Sequence, residues 1–306
     1  MWRYALRRLL TAIPTLLAVV SACYALLHAA PGGPFDSERN VSAAVLANLQ
    51  AKYHLDLSPW QQYLYYLDNL LHGDLGASFR YADWSVNELV AAALPVSLSI
   101  GGGALLLSIL IGVAVGIAAA LRQNGIVDHA VMLVGNMGSA FPSFVIGPVL
   151  ILVFALWLKW VPAGGWDGFS PRHMVLPIAL LTLINVATIG RVMRGSLIEV
   201  LHSNFIRTAR AKGLPMRVVV LRHALKPALL PVVSLLGPLA ISSITAALVT
   251  ETVFSLPGLG KLIVNGAANR DYTLVLGLVV LITVLAVLLN LMVDLAYAAL
   301  DPKIRY

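Results

Sequence analysis

The chain has 306 residues, of which 59% are apolar and only 11% are charged. A soluble domain carries about 25% charged residues, so this composition excludes an ordinary soluble enzyme and indicates a membrane protein. The net charge of +7 is distributed between apolar runs, which favours a membrane topology signal over nucleic-acid binding. The single Cys23 excludes an internal disulfide framework and a cysteine-based metal site.

Six uncharged runs are predicted to be transmembrane helices, because about 20 helical residues cross the ~30 Å hydrocarbon core of a bilayer. In chain order they are Leu9–Ala30, Leu94–Leu121, Ala130–Leu158, His173–Gly190, Pro227–Thr250 and Tyr272–Val293. The first run follows three arginines, as in a signal peptide. No clear small-x-small cleavage site follows it, so the first helix is predicted to be retained.

Residues 31–93 form the one segment with a soluble character, and they carry seven of the fourteen acidic residues. Apolar spacing within 41–49 predicts a first helix here. Ser58–Pro59 predicts the start of a second helix that ends at Gly73, and Ser85–Glu88 has the pattern of a capping box. Two interpretations stay open for this segment, namely a packed external cap or a docking surface for a solute-binding protein.

The distribution of Lys and Arg predicts that both termini are cytoplasmic. The predicted inner segments hold 14 of these residues, whereas the two short outer loops hold 4, and such an excess marks the inner side. The predicted plan is a first helix with its N-terminal arm (1–30), an external loop (31–93) and a core of five transmembrane helices (94–306). The core contains an inner loop at 191–226.

The most basic segment of the chain is Phe205–Pro231, which lies between two apolar runs. Ser203 is predicted to cap a short helix over Asn204–Lys212. Gly213 stands where that helix would end in a left-handed residue, and Pro215 where the next helix would begin. The segment predicts a basic helical pair on the inner side, on which a soluble protein could dock. The alternative interpretation from charge is an ordinary positive cytoplasmic loop, which every polytopic membrane protein has.

The order of residues in this segment resembles the cytoplasmic loop of ABC-importer permeases. The general family pattern begins with E-A-A and has Gly four residues after the second Ala. The matching positions here are Arg207, Thr208, Ala209 and Gly213, so Arg207 replaces the acidic first residue. The run R-T-A-R-A-K-G is similar to the peptide-permease branch. Further stretches that resemble this branch are the N-terminal MWRYALRRLLTAIPTLL, Gly73–Phe79, Leu94–Ser97, Glu251–Leu262, Asn269–Tyr272 and Asp301–Tyr306.

The resemblance covers essentially the whole chain and is greatest to the first (B-type) permease subunit of bacterial oligopeptide importers. It implies an all-α type I permease bundle of six transmembrane helices in the inner membrane, with a long periplasmic loop after the first helix. It implies a second homologous permease, two cytoplasmic ABC ATPases and a periplasmic peptide-binding protein as partners, besides membrane lipid.

The resemblance also implies how the inner loop acts. The residues that would insert into a groove on an ATPase are Asn204, Phe205, Arg207, Thr208, Ala209, Arg210, Ala211, Lys212 and Gly213. ATP and magnesium would be bound by the ATPases, and no cofactor is expected in this chain. Closure of the ATPases would draw two such helices together and open the bundle outward.

Chemical motifs of an enzyme are not recognisable in the sequence. The nearest approach to a phosphate-binding loop is Ser255–Leu262, which lacks the first Gly and the final Ser or Thr, and it falls on the predicted outer side. The seven histidines show no metal-ligand spacing. We therefore expect neither ATP hydrolysis nor a metal site in this chain, and a membrane-embedded enzyme is disfavoured.

Small polar residues recur within the predicted spans, and they either pack helices closely or line a wet pathway. The candidates for pathway lining are Asn136, Ser139, Ser143, Asn185, Thr188, Ser242, Ser243 and Thr245. Glu251 and Asp294 fall near predicted helix ends, and the scarcity of ionisable residues at the membrane centre counts against a stand-alone secondary transporter. Within the family, a permease for dipeptides, nickel or another small solute remains an alternative.

Overall fold

The computed structural model describes the backbone of residues 2–29, 48, 50–81 and 83–300. Almost all of the helix predicted within residues 41–49 lies outside these residues. The described chain is built of helices: α1 (Trp2–Ala29), α2 (Pro59–Leu71), α3 (Val86–Leu121), α4 (Ile126–Ala140), α5 (Ser143–Leu150), α6 (Pro171–Leu201), α7 (Asn204–Ala211), α8 (Met216–Val218), α9 (Leu225–Val253), α10 (Leu259–Ala268) and α11 (Tyr272–Leu300). Two π-helical segments extend these elements, Ile151–Trp157 after α5 and Val219–Ala224 between α8 and α9. The prediction of an all-α membrane bundle is confirmed.

Among the residues that the structure describes, five helical stretches are long and apolar enough to cross a membrane. They are Leu6–Ala29, Val86–Leu121, Pro171–Leu201, Met216–Val253 and Tyr272–Ala298. The fourth predicted run, His173–Gly190, is shorter than the helix observed there, which continues for eleven residues past Gly190. Charged residues such as Arg191 end an uncharged run in the sequence, but they do not end a helix that leaves the membrane.

The third predicted run, Ala130–Leu158, is the one that is not a single helix. It is divided between α4 and α5, with Phe141 and Pro142 in the break. Proline lacks a backbone N–H and disfavours helical geometry in the residue before it, so Phe141–Pro142 is a natural boundary. Pro142 takes an extended conformation as the N-cap of α5. This crossing is therefore formed by two shorter helices and a π-helical end.

Contacts between helices give their directions. α3 and α6 run parallel, since Gly103 lies against Ile178 and Gly116 against Met193. The α4–α5 crossing runs antiparallel to α6, because Gly135 lies against Ala187 while Gly147 lies near Leu180. α9 is antiparallel to α3, with Ser97 against Glu251 and Gly101 against Ser243. The chain therefore crosses back and forth, and one end carries the turn 122–125 and α7. We call this the inner end, following the prediction from charge.

Glycine allows the closest of these contacts. A Cβ at Gly116 would lie 2.7 Å from the carbonyl oxygen of Gly190 and from the Cβ of Met193. A Cβ at Gly112 would lie 2.8 Å from Ile189. Small residues let helix backbones approach each other in a membrane, where dispersion contacts carry much of the packing energy. The α3–α6 pair is thereby a tightly packed centre of the bundle.

The helices α1 and α2 pack against the last helix, α11. Arg8 of α1 pairs with Asp294 of α11 at 2.8 Å. Near the other end of α1, Val20 packs with Tyr66 of α2 and with Leu276 of α11. Burial, with the nearby Cys23 thiol as a smaller cause, raises the pKa of the Tyr66 hydroxyl. The predicted caps of α2 and α3 are confirmed, since both carry complete capping boxes.

Candidate coupling surface and translocation face

The short helix α7 lies at the inner end with one face buried and the rest exposed. Ile206 and Ala209 are buried in a cluster with Met193, Leu197 and Val219. Their spacing of three residues places them on one side of a helix. The remaining residues are exposed: Asn204, Phe205, Arg207, Thr208, Arg210 and Ala211. The exposed side of α7 is therefore positively charged and carries an aromatic residue, while its buried side packs against the bundle.

The end of α7 matches the prediction, whereas its beginning differs in detail. Gly213 has φ +77°, and its N–H donates to the Arg210 carbonyl at 2.9 Å. The left-handed conformation explains the choice of glycine. Ser203 is the N-cap residue, but its hydroxyl makes no capping bond, because it donates instead to the Val200 carbonyl at 2.6 Å. Pro215 precedes the first residue of α8 as its N-cap.

A buried ion pair fastens the inner end of α6 to α4. Arg194 donates from Nη2 to Asp128 Oδ2 at 2.6 Å, and its Nε donates to Oδ1. The same carboxylate accepts the Asn124 N–H at 2.9 Å. Asp128 is 1% exposed. Its bidentate, charge-assisted contact with Arg194 and its bond to Asn124 join α4, α6 and the turn 122–125. The sequence analysis missed this pair, since the two residues are 66 positions apart.

The predicted pathway residues whose side chains are described differ in their burial. Asn185 and Ser243 are buried, and the Asn185 amide donates to the Ser243 hydroxyl at 2.9 Å between α6 and α9. Ser143 and Thr188 are half-buried, whereas Ser242 is exposed. The side chains of three further candidates lie outside the described residues: Asn136, Ser139 and Thr245. Their pathway role stays a prediction.

One exposed face of α9 carries small polar residues and prolines. Pro231, Ser234, Pro238 and Ser242 are all exposed, and spacings of three, four and four residues place them along one side of the helix. Prolines at 231 and 238 remove the N–H groups that would bond the carbonyls four residues earlier. This face, which we call the α9 stripe, therefore presents polar groups within an apolar helix.

A buried carboxylate organises the predicted outer end. Glu251, near the end of α9, is fully buried. It accepts hydrogen bonds from the Ser97 hydroxyl at 2.5 Å, the Gly260 N–H at 2.8 Å and the Lys261 N–H at 3.2 Å. The Ser97 hydroxyl in turn accepts the Leu259 N–H at 2.8 Å. Ser97 of α3 and Glu251 of α9 thereby accept the backbone N–H groups at the start of α10 that have no partner within that helix.

Two stretches that resemble the peptide-permease branch, Gly73–Phe79 and Asn269–Tyr272, meet at this end. Asp271 is fully buried and accepts the Ser78 hydroxyl at 2.5 Å and the Leu274 N–H at 3.2 Å. Ser78 also accepts the N–H groups of Arg80 and Tyr81. The loop before α3 is therefore held to the turn between α10 and α11. The segment Ser255–Leu262 forms the entry to α10 beside Glu251.

Within residues 2–29, 48, 50–81 and 83–300, no group of three or more His, Cys, Asp or Glu side chains is arranged to hold a metal ion.

The sequence and the fold are both similar to those of known transport proteins. Residues 112–306 match the family described as the binding-protein-dependent transport system inner membrane component. Over the full length of both chains, the sequence is 53% identical to the oligopeptide transport system permease protein OppB of Salmonella typhimurium. It is 39% identical to the dipeptide transport system permease protein DppB of Bacillus subtilis, over 100% of this chain and 98% of that one. The fold is similar to an inward-facing structure of the MetNI methionine ABC transporter, with a TM-score of 0.59 over 70% of this chain and 96% of that chain, at 19% identity. The chain therefore belongs to the family of binding-protein-dependent transport system inner membrane components.

Proposed function

We propose that the chain is one of two homologous membrane subunits of an ATP-driven importer in the bacterial inner membrane, and that its solute is an oligopeptide. The observation that carries this proposal is α7, a basic, exposed helix on a buried base at one end of a membrane bundle. Full-length identity of 53% to a relative named as an oligopeptide permease supports the choice of solute.

The inner end is proposed to be cytoplasmic. The predicted inner segments hold 14 Lys and Arg residues, and the helix directions bring α7, the turn 122–125 and Arg8 to the same end. The external segment 31–93 then faces the periplasm, where the resemblance places a peptide-binding protein. Two cytoplasmic ATPases with bound ATP and magnesium, each receiving a helix like α7, complete the proposed complex.

The contacts around α7 support a route for mechanical coupling. Ile206 fixes α7 to the buried cluster at the end of α6, so displacement of α7 would move that end as well. Arg194 and Asp128 join α6 to the start of α4, which leads to the break at Phe141–Pro142. Packed helices shift between discrete arrangements and do not deform continuously. ATP-driven motion at α7 would therefore reach the divided crossing.

The α9 stripe is the proposed wall of the pathway in this subunit. Serine hydroxyls and proline-freed carbonyls can bond to the backbone of a peptide, which every peptide shares regardless of its side chains. An exposed polar face is costly against lipid and is tolerated where it lines a cavity. A dipeptide is the second candidate solute, because the dipeptide permease relative is 39% identical over the chain.

Purification from the native cells in mild detergent is expected to yield this chain with two ATPase subunits and a second permease. The complex in proteoliposomes, with its binding protein outside and ATP at the ATPases, should accumulate a labelled oligopeptide. Competition with unlabelled dipeptides separates the two candidate solutes. Uptake by the purified chain alone would contradict the proposed coupling to ATPases.

Gly213→Val is expected to lower peptide uptake while leaving membrane insertion intact. A residue with a side chain in the left-handed conformation costs about 1–2 kcal/mol, which corresponds to roughly 5–30-fold in the population of the formed helix end. Apart from the adjacent residues of the chain, no atom lies within 4 Å of a Cβ placed there, so backbone strain is the main effect expected within the chain. Uptake and ATPase retention in the assembled complex are the measurements.

Gly213→Asn is the matched control for this substitution. Asparagine tolerates the left-handed conformation better than other residues with a side chain, so its uptake should stay close to that of the wild type. Equal and normal uptake by both variants at normal expression would mean that α7 is an ordinary cytoplasmic connection.

A further inference from the structure

The helix α2 has an apolar edge that the rest of the described chain leaves uncovered. Its buried side packs against α1 and α11 through Tyr63, Tyr66, Leu67 and Leu70. Beside this buried side lie Trp60, Leu64 and Leu71, which are 66%, 47% and 86% exposed. Their spacings of four and seven residues place all three along one line on the helix.

The next edge of the same helix is polar. Gln61, Tyr65 and Asp68 are exposed, and helical geometry places them about 100° round from Trp60 and Leu64. A helix in water has no need to divide its exposed surface in this way. A helix lying at the boundary between lipid and water does, because one edge meets acyl chains while the other meets the aqueous phase.

Hydrogen bonds to α1 set the depth of α2. The Tyr24 hydroxyl donates to the Pro59 carbonyl at 2.7 Å, and the Ser21 and Tyr63 hydroxyls are 2.6 Å apart. Both α1 residues lie within the apolar span Leu6–Ala29. Ser21 stands eight residues before Ala29, which is about 12 Å along the helix axis. The start of α2 is therefore tied to a level below the outer end of a transmembrane helix.

A cleft between the two helices continues the apolar edge. It has a volume of about 540 Å³ and is lined by Ser21, Tyr24, Ala25 and His28 of α1 together with Pro59, Trp60 and Tyr63 of α2. Tryptophan and tyrosine are favoured where the headgroups meet the acyl chains. Depth, the divided surface and the aromatic lining thus agree on one kind of partner.

We propose that α2 lies in the outer leaflet at the lipid–water boundary, and that phospholipid covers its edge of Trp60, Leu64 and Leu71. This inference goes beyond the proposed transport function and does not depend on the solute. The helix α2 is then anchored at the membrane surface, and a soluble partner can reach only its polar edge.

Fluorescence quenching tests the proposal on the intact complex. Cys23, the only cysteine, is replaced by alanine, and single cysteines at positions 60, 64 and 71 are labelled with an environment-sensitive fluorophore. Positions 61 and 68 on the polar edge of the same helix serve as matched controls. The complex is placed in vesicles of phosphatidylethanolamine and phosphatidylglycerol, with and without lipids that carry a nitroxide near the headgroup. Iodide is the aqueous quencher.

Labels at 60, 64 and 71 are expected to emit at shorter wavelength and to be quenched several-fold more by nitroxide lipid than labels at 61 and 68. Iodide should show the reverse order. Quenching of positions 60, 64 and 71 by iodide would overturn the proposal in favour of an aqueous docking surface. Protection of these positions from both quenchers would overturn it in favour of cover by protein.

Discussion

Glu251→Ala is expected to lower the thermal stability of the complex markedly and to abolish peptide uptake. The substitution leaves the Ser97 hydroxyl and the N–H groups of Gly260 and Lys261 without their buried acceptor. A stranded buried donor costs about 1–3 kcal/mol, so the loss is roughly 3 kcal/mol or more. The apparent midpoint of thermal unfolding in detergent should fall by roughly 5–10 °C, because α10 is no longer held against α3 and α9.

Two further variants make this result specific. Thr252→Ala changes the next residue of the same helix and removes only a bond to the Leu248 carbonyl of its own helix, so it should leave the midpoint nearly unchanged. Gly258→Ala should resemble Glu251→Ala, since a Cβ at Gly258 would overlap the Glu251 carboxylate. Equal midpoints for Glu251→Ala and Thr252→Ala would show that the carboxylate does not hold the outer end together.

Asp128→Ala is the second substitution with a large expected effect. It leaves the Arg194 guanidinium partly buried without its carboxylate, and it strands the Asn124 N–H. Breaking a buried ion pair by removing one partner costs about 3–5 kcal/mol. Because the pair joins α6 to α4 close to α7, we expect ATP hydrolysis to continue while uptake per ATP falls steeply. The measurement is the ratio of peptide transported to phosphate released in proteoliposomes.

Conservative and remote variants separate coupling from general damage. Arg194→Lys keeps the charge but loses the two-pronged geometry, so its transport ratio should lie between the wild type and Asp128→Ala. Arg122→Ala removes an exposed cation from the same inner end and should leave the ratio unchanged. A normal ratio in Asp128→Ala, at normal complex yield, would remove this pair from the proposed route of coupling.

Local features of the fold were predictable because local signals specify them. The capping boxes at Ser58 and Ser85 follow from residues three positions apart, and the left-handed Gly213 follows from the end of a basic amphipathic run. The apolar spans follow from composition over about 20 residues. Where a local choice of partner existed, the prediction was less accurate, as at Ser203, whose hydroxyl donates backwards to Val200 instead of capping α7.

The break in the third crossing and the length of the fourth were missed for different reasons. Pro142 was visible in the sequence, but membrane helices often retain prolines, as α9 does at Pro231 and Pro238, so the residue alone does not predict a break. The fourth predicted crossing, α6, extends past Arg191 and Arg194 because Arg194 pairs with Asp128 and the end of α6 packs on the cluster around Ile206. Hydropathy cannot register either contact.

The sequence by itself determined that this protein is an all-helical membrane protein with a short basic helix, because composition and periodicity record those properties within a few turns of chain. Its likeness to permeases came from the resemblance of its motifs to the ABC-importer family. Only the tertiary structure decided where the buried charges act. Glu251 meets Ser97 across 154 positions, and Asp271 meets Ser78 across 193. A carboxylate near an apolar helix end looks solvated in a sequence, and it becomes a structural anchor only when folding brings its hydrogen-bond donors to it.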